Sequence, residues 1–343
     1  MFRLAFALTL FVAAPESEVS PSIAAVVEST FPTSGRQVRQ QAFDGDVGTS
    51  YEAARPPRKG DRVTLNFDAP VLVRFAEVHA KGLDGGTLEG SEDGATFASL
   101  AEFHDGVARA EPGKTFKALR VVPAKDAKEL IAIQEFAVDS DPALRRFQFP
   151  VEFVVDDVDD PALKSWAEDV ARTCERAYDV VAGALRVEGR RPERVVRISV
   201  KNDAEAPARA SGARITASAK WFRAHPDDVG SMIHETARVV QNYRGHDNPD
   251  WLAEGVAAYV RFMVYEPSSP PADDAERAPR DQANLNAARF LKYVVTKYDP
   301  DFVLKLNRAM RERTYSDELF KDATGKTADE LGQEWKASLA SKD

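Results

Sequence analysis

The sequence predicts two domains of different class. An all-β sandwich spans about residues 17–140 and an α/β domain spans 147–343, with a short linker at 141–146. Three observations carry this division. The 343 residues suit about two domains at the usual ~100–200 residues each. From about residue 30 to 140, short runs alternate apolar and polar side chains and are broken by Asp-Gly turn signals. Beyond Pro142 the apolar spacing becomes mainly helical, punctuated by Pro249 and Pro270-Pro271.

The elements follow in order. Residues 1–16 read as a secretory signal peptide: Arg3 precedes the apolar run Leu4–Ala14, which is too short for the ~20 residues of a membrane-spanning helix. Strands are expected at 62–67, 71–78, 87–89, 97–100, 118–122 and 131–138. Asp84-Gly-Gly and Glu92-Asp-Gly mark turns between them. The polar stretch Asp139–Pro142 reads as the start of the linker. Then come a strand at 147–155, a helix at 161–185 and a strand at 195–200. Helices are expected at about 227–243, 250–265, 282–298, 300–312 and 327–341, with a proline-bearing loop at 268–280.

Composition narrows the function. Hydrophobic residues make 43% and charged residues 29%, as in ordinary globular proteins. The net charge of −9 argues against a nucleic-acid partner, which would call for a basic excess. No second apolar run of membrane length follows the signal segment. The single cysteine, Cys174, cannot form an intrachain disulfide and reads as a small core residue. Export without disulfides suits a bacterial periplasm or cell exterior, so the expected location is secreted or cell envelope.

The first half carries Ala42-Phe-Asp-Gly-Asp-Val-Gly-Thr-Ser-Tyr51, then Gly60-Asp-Arg-Val-Thr-Leu-Asn-Phe, Leu88-Glu-Gly-Ser-Glu-Asp-Gly-Ala-Thr-Phe and Ile133-Gln-Glu-Phe. In that order the blocks resemble discoidin, or coagulation factor 5/8 type C, domains over about 30–140. The resemblance implies a galactose-binding-like jelly roll whose loop tips bind sugars or anionic surfaces. It also implies a structural calcium held by Asp44, Asp46, Thr49 and Glu135. These are hard oxygen donors, of which Ca²⁺ takes 6–8. Tyr51 stands where that family often has Trp, and Arg36, Arg55 and Arg58 fall in expected loops.

The second half carries Met232-Ile-His-Glu-Thr-Ala-Arg-Val-Val-Gln241 and Asn248-Pro-Asp-Trp-Leu-Ala-Glu-Gly-Val-Ala-Ala-Tyr-Val-Arg261. Later blocks are Ala288–Tyr293, Phe302–Met310, Tyr315–Phe320 and Gly325–Leu331. Together they resemble the basic secretory protein family, peptidases of plants and bacteria, over 147–341. The resemblance implies a zincin-like α/β fold in which His234 and Glu254 are zinc ligands and Glu235 is the general base. The second His of the His-Glu-x-x-His pattern is Arg238 here. A guanidinium has no lone pair for a metal and keeps its proton. Arg238 is therefore expected to replace the metal electrostatically, bridging Glu254 and Glu235. Ala258 and Asn284 depart from the family's Asp and Tyr at two more polar positions. His246 is the residue that could complete a ligand set, if its loop folds back.

The expected function is thus an exported pseudopeptidase that binds a peptide or a glycan. Two alternatives stand beside it: an active zinc metallopeptidase with an altered ligand set, and a carbohydrate or cell-surface binder acting through the discoidin-like domain.

Overall fold

The computed structural model describes residues 22–32, 34–35, 37–125, 127–243, 248–268 and 279–340. Residues 1–16, expected to be a signal peptide, Arg36, His246 and most of the 268–280 loop lie outside the described residues. Among those described, no helix is long and apolar enough to cross a membrane.

The first half is mainly an antiparallel β sandwich. Its strands are β1 (Ala25–Ser29), β2 (Tyr51–Glu52), β3 (Val63–Lys81), β4 (Thr87–Ser91), β5 (Ala98–Glu102), β6 (Val107–Ala110), β7 (Lys114–Val122) and β8 (Ala132–Asp141). The path runs β2-β8-β3-β7-β4-β5, and β1 and β6 both pair with β3. β3 replaces the two strands expected at 62–67 and 71–78. Its first part pairs with β1 and its second with β8, so one long strand serves both layers. Asp68-Ala-Pro70 interrupts the apolar alternation where the ladder with β7 slips between Asn66 and Val71, a place where proline's missing N–H does no harm. A further shift between Val73 and Phe75 keeps Val71, Val73, Ala76, Val78 and Ala80 all facing inward.

The linker reading at Asp139–Pro142 is corrected. β8 continues through it, pairing Asp139 with Phe75 and Asp141 with Leu72. The polar residues are an exposed strand end: Arg74 bonds Asp139 and Asp141 at 3.1 Å each. The chain then enters the second half through a cis Asp141–Pro142 bond.

The second half pairs a four-stranded mixed sheet with helices. β9 (Glu152–Val158), β10 (Val195–Lys201), β11 (Ala208–Ser211) and β12 (Arg214–Ser218) lie in the order β11-β12-β10-β9. β10 runs parallel to β9 and β12, and β11 is an antiparallel edge. The helices are α1 (Lys164–Ala184), α2 (Ala219–Ala224), α3 (Val229–Gln241), α4 (Asp250–Tyr259), α5 (Pro279–Lys297), α6 (Phe302–Glu312), α7 (Glu318–Thr324) and α8 (Ala328–Ala340). α4 continues into a π-helical turn, Val260–Tyr265. α1 buries Val170, Ala171, Cys174, Tyr178 and Val181 against the sheet and α3. Cys174 is fully buried and free. α4 and α5 touch closely at Gly255, where a Cβ would stand 2.8 Å from the Ala287 Cβ. Only glycine permits that approach.

Candidate functional site

α3 begins at Asp228, whose carboxylate caps the Ser231 N–H at 3.3 Å, and ends at Asn242 in the left-handed conformation, φ 47°. Between these caps, Met232, Ile233, Thr236, Ala237, Val239 and Val240 are buried. The remaining stripe is Ser231, His234, Glu235 and Arg238, which recur at helical spacing and are only partly buried. The stripe thus faces away from the core, toward β11 and α4.

α4 supplies Glu254. His234 Nε2 lies 3.1 Å from Glu254 Oε2, and Arg238 Nε lies 3.7 Å from Glu254 Oε1. Arg238 also donates from Nη1 to Gln241 Oε1 at 2.8 Å, and Gln241 in turn donates to the Ala253 carbonyl at 2.9 Å. Glu235 turns the other way, accepting the Ala210 N–H of edge strand β11 at 2.6 Å. Burial, more than any other cause, holds the Glu235 carboxyl above its usual range, against the pull of His234 and Arg238. The structure therefore gathers His234, Glu235, Arg238 and Glu254 in one place, with Glu254 directly between the imidazole and the guanidinium. Ala258 is fully buried in the core, and the Asn284 side chain makes no hydrogen bond among the described residues.

One contact escaped sequence reasoning. Arg261, three turns beyond the start of α4, reaches back to α3 and donates from Nη2 to Asp228 Oδ1 at 2.9 Å. Asp228 Oδ2 also accepts from Trp221 Nε1 at 3.0 Å. The sequence signal was present in the Tyr-Val-Arg261 block, but nothing local showed where the guanidinium would land.

In the sandwich, the loop after a 3-10 turn (Arg39–Phe43) carries Asp44, Asp46 and Thr49. Thr49 donates its hydroxyl to Asp44 at 2.8 Å, and Asp46 accepts the Gly48 N–H at 2.9 Å. Glu135 on β8 accepts the Gly45 N–H through Oε2 at 3.1 Å. Its buried Oε1 has no hydrogen bond, with Arg146 Nε 3.8 Å away. Burial chiefly pushes the Glu135 carboxyl up to about 7, and the negative charge of Asp44 adds to this. The other histidines make local contacts: His79 with Glu77 at 2.7 Å, His225 stacked on Trp221, and His104 in a bridge to Val107. Arg55 is paired with Asp61 at 2.6 Å. Tyr51 is buried, with its hydroxyl 2.8 Å from Ser29 Oγ.

The sequence profile of the peptidases of plants and bacteria, BSP, matches residues 133–335. The chain belongs to that family. None of the curated proteins matches the chain. Solved structures with some likeness include CpGH89CBM32-6 of Clostridium perfringens, 18% identical over 34% of this chain and 92% of that one, TM-score 0.27. A pectin binding carbohydrate binding module is 21% identical over 35% of this chain and 93% of that one, TM-score 0.26. A chitosan-binding module from a Paenibacillus chitosanase/glucanase is 16% identical over 33% and 92%, TM-score 0.28.

A peptidase of this family with a His-Glu-x-x-His helix would be expected to use zinc. The residues described here do not fit that ion. His234 and Glu254 bond one another, and the next position on the stripe is a permanent cation already in contact with Glu254. Among the described residues, no three His, Cys, Asp or Glu side chains converge as a metal cluster. At Glu135 the buried Oε1 has no hydrogen bond, and its cationic neighbour is Arg146 at 3.8 Å.

Proposed function

We propose that this chain is an exported, non-hydrolytic member of the family that binds a peptide in the former peptidase cleft. The observation that carries the reading is Arg238 Nε at 3.7 Å from Glu254 Oε1. A fixed positive charge there meets the carboxylate that a dication would otherwise hold, and it has no lone pair to polarise a carbonyl or a water. Glu235, partly buried, spends a carboxylate oxygen on the Ala210 N–H rather than facing Glu254. β11 is an edge strand beside the stripe, and beyond the Ala210 N–H that Glu235 holds, its edge is where an extended peptide would add.

The test is zinc content of the full chain by mass spectrometry after dialysis, beside an Arg238→His variant, with peptidase assays on both. The natural chain should hold far less than one equivalent and cleave nothing. The variant, with two imidazoles at i and i+4 and Glu254 on the next helix, should take up about one zinc. One zinc in the natural chain would overturn the reading and place an active metallopeptidase with an altered ligand set in its stead.

We also propose that Asp44 and Glu135 hold a structural Ca²⁺, with Asp46 and Thr49 in the same loop; the buried Glu135 Oε1, which no hydrogen bond reaches, supports this. The pH dependence has a definite sign. A carboxyl raised from 4.5 to about 7 in the folded state binds more protons folded than unfolded. In EDTA its contribution to stability is therefore full below about pH 4.5 and is lost as pH rises toward 7. Millimolar calcium should raise the Tm by a few degrees at pH 7.5 and by almost nothing at pH 5, and Glu135→Gln should abolish both effects. A Tm indifferent to calcium at pH 7.5 would remove the ion from the reading.

A further inference from the structure

On another face of the second half lies a cavity of about 570 Å³, between the end of α1, the segment 185–192 and α6. Its floor is apolar, with Phe149, Leu185, Val240 and Leu304. Its walls carry Arg186, Arg190, Lys305, Arg308 and Arg311, against the carboxylates Glu188 and Asp301. This excess of positive charge stands in a chain whose net charge is −9.

The arginines are unspent. Lys305 is taken by Asp299 at 2.7 Å. Arg186, Arg190, Arg308 and Arg311 have no ion pair or side-chain hydrogen bond among the described residues. Arg311 is the deepest of the four and is only partly exposed. Burial, then the positive charge of Arg190, push its guanidinium below the usual range. Glu193 draws on Arg311 as well, but the five basic side chains outnumber the carboxylates around them, and folding tolerates such an excess where an anionic ligand supplies the missing charge. Guanidinium forks match the oxygens of a phosphate, and two or more of them match a dianion better than a single carboxylate does. The volume lies within the range of small-molecule sites and exceeds what a bare phosphate would fill.

We propose that this cavity binds a phosphate monoester of a small apolar body, the phosphate among Arg190, Arg308 and Arg311 and the body on Leu185 and Leu304. The site is separate from the His234–Glu254 pair and does not depend on the reading of that pair.

Calorimetry on the full chain at low salt, with phenyl phosphate and inorganic phosphate as probes, tests it. Phenyl phosphate should bind saturably and at least about fivefold more tightly than inorganic phosphate. Arg311→Gln, and separately the exposed Arg308→Gln, should weaken both probes by about tenfold or more. Leu304→Ser should weaken only phenyl phosphate. Absence of saturable binding at millimolar phenyl phosphate would overturn the proposal. So would affinities unchanged in both arginine variants, since Arg308 lies on the surface and its loss leaves the fold intact. Equal affinity for the two probes would overturn the assignment to an organic ester.

Discussion

Arg39→Met should destabilise the protein by about 3–5 kcal/mol, the loss expected when one partner of a buried ion pair is removed. Arg39 belongs to the sandwich, in the 3-10 turn that precedes the Asp44 loop, yet both of its carboxylate partners belong to the second half. Nη1 donates to Glu152 Oε1 on β9 at 2.7 Å, and Nη2 donates to Glu175 on α1. All three side chains are buried, Glu175 at 1% exposure. Gln40 beside it accepts the Val151 N–H at 2.9 Å, and Phe43 meets Phe147 edge-on. The seam between the halves is thus built on one guanidinium shared by two acids. Burial raises the Glu175 carboxyl well above its usual range, and Arg39 is the main force holding it down. Removing Arg39 lets it rise further, so the folded variant binds extra protons. Because the native carboxyl already stands at about 8, the variant's deficit in urea unfolding should shrink as pH falls from about 10 to 8 and stay level below that. Adding Glu175→Gln to the variant should recover part of the loss. A deficit under about 1 kcal/mol, or one that ignores pH, would show that the seam does not rest on this charge.

How much of this was legible follows from which interactions are local. The α3 stripe could be read from spacing alone, because helical periodicity separates Met232, Ile233 and Thr236 from His234, Glu235 and Arg238. The α6 and α8 boundaries were also close, for the same reason. β11 and β12 were missed. Ala208–Ser211 has no apolar alternation, and the strand exists because β12 pairs with it on one side and Glu235 takes its Ala210 N–H on the other. The acidic end of β8 read as a linker because its side chains face water, while the backbone pairing that makes it a strand is with Leu72, Val73 and Phe75, far away in the sequence. Arg39 gave no signal at all. An arginine before Gln-Gln looks like surface until the other half of the chain supplies Glu152 and Glu175. At the candidate site the residue identities were legible, and the fit of Arg238 to Glu254 was arguable from charge. The tie from Arg261 to Asp228 was not, since it joins positions whose contact depends on how two helices cross.

That tie gives a prediction that changes sign with background. The Arg261 guanidinium lies flat on the start of α3: a Cβ at Gly230 would fall 2.4 Å from its Nε and Nη2. The guanidinium cannot simply swing aside, because it holds Asp228 at 2.9 Å and sits 3.6 Å from Glu266. Gly230→Ala should therefore expel it and cost about 1–3 kcal/mol, the loss of a partly buried charged contact to the residue that caps α3. In an Arg261→Ala background the obstacle is gone. There the same change should be neutral or stabilising by up to about 1 kcal/mol, since alanine is the better helix former. The double-mutant cycle thus separates packing against Arg261 from helix propensity. If Gly230→Ala destabilised both backgrounds equally, the glycine would be required by α3 itself and Arg261 would not be what fixes the start of the stripe. If the sign reverses, one arginine on α4's extension sets the position of the helix that carries His234, Glu235 and Arg238.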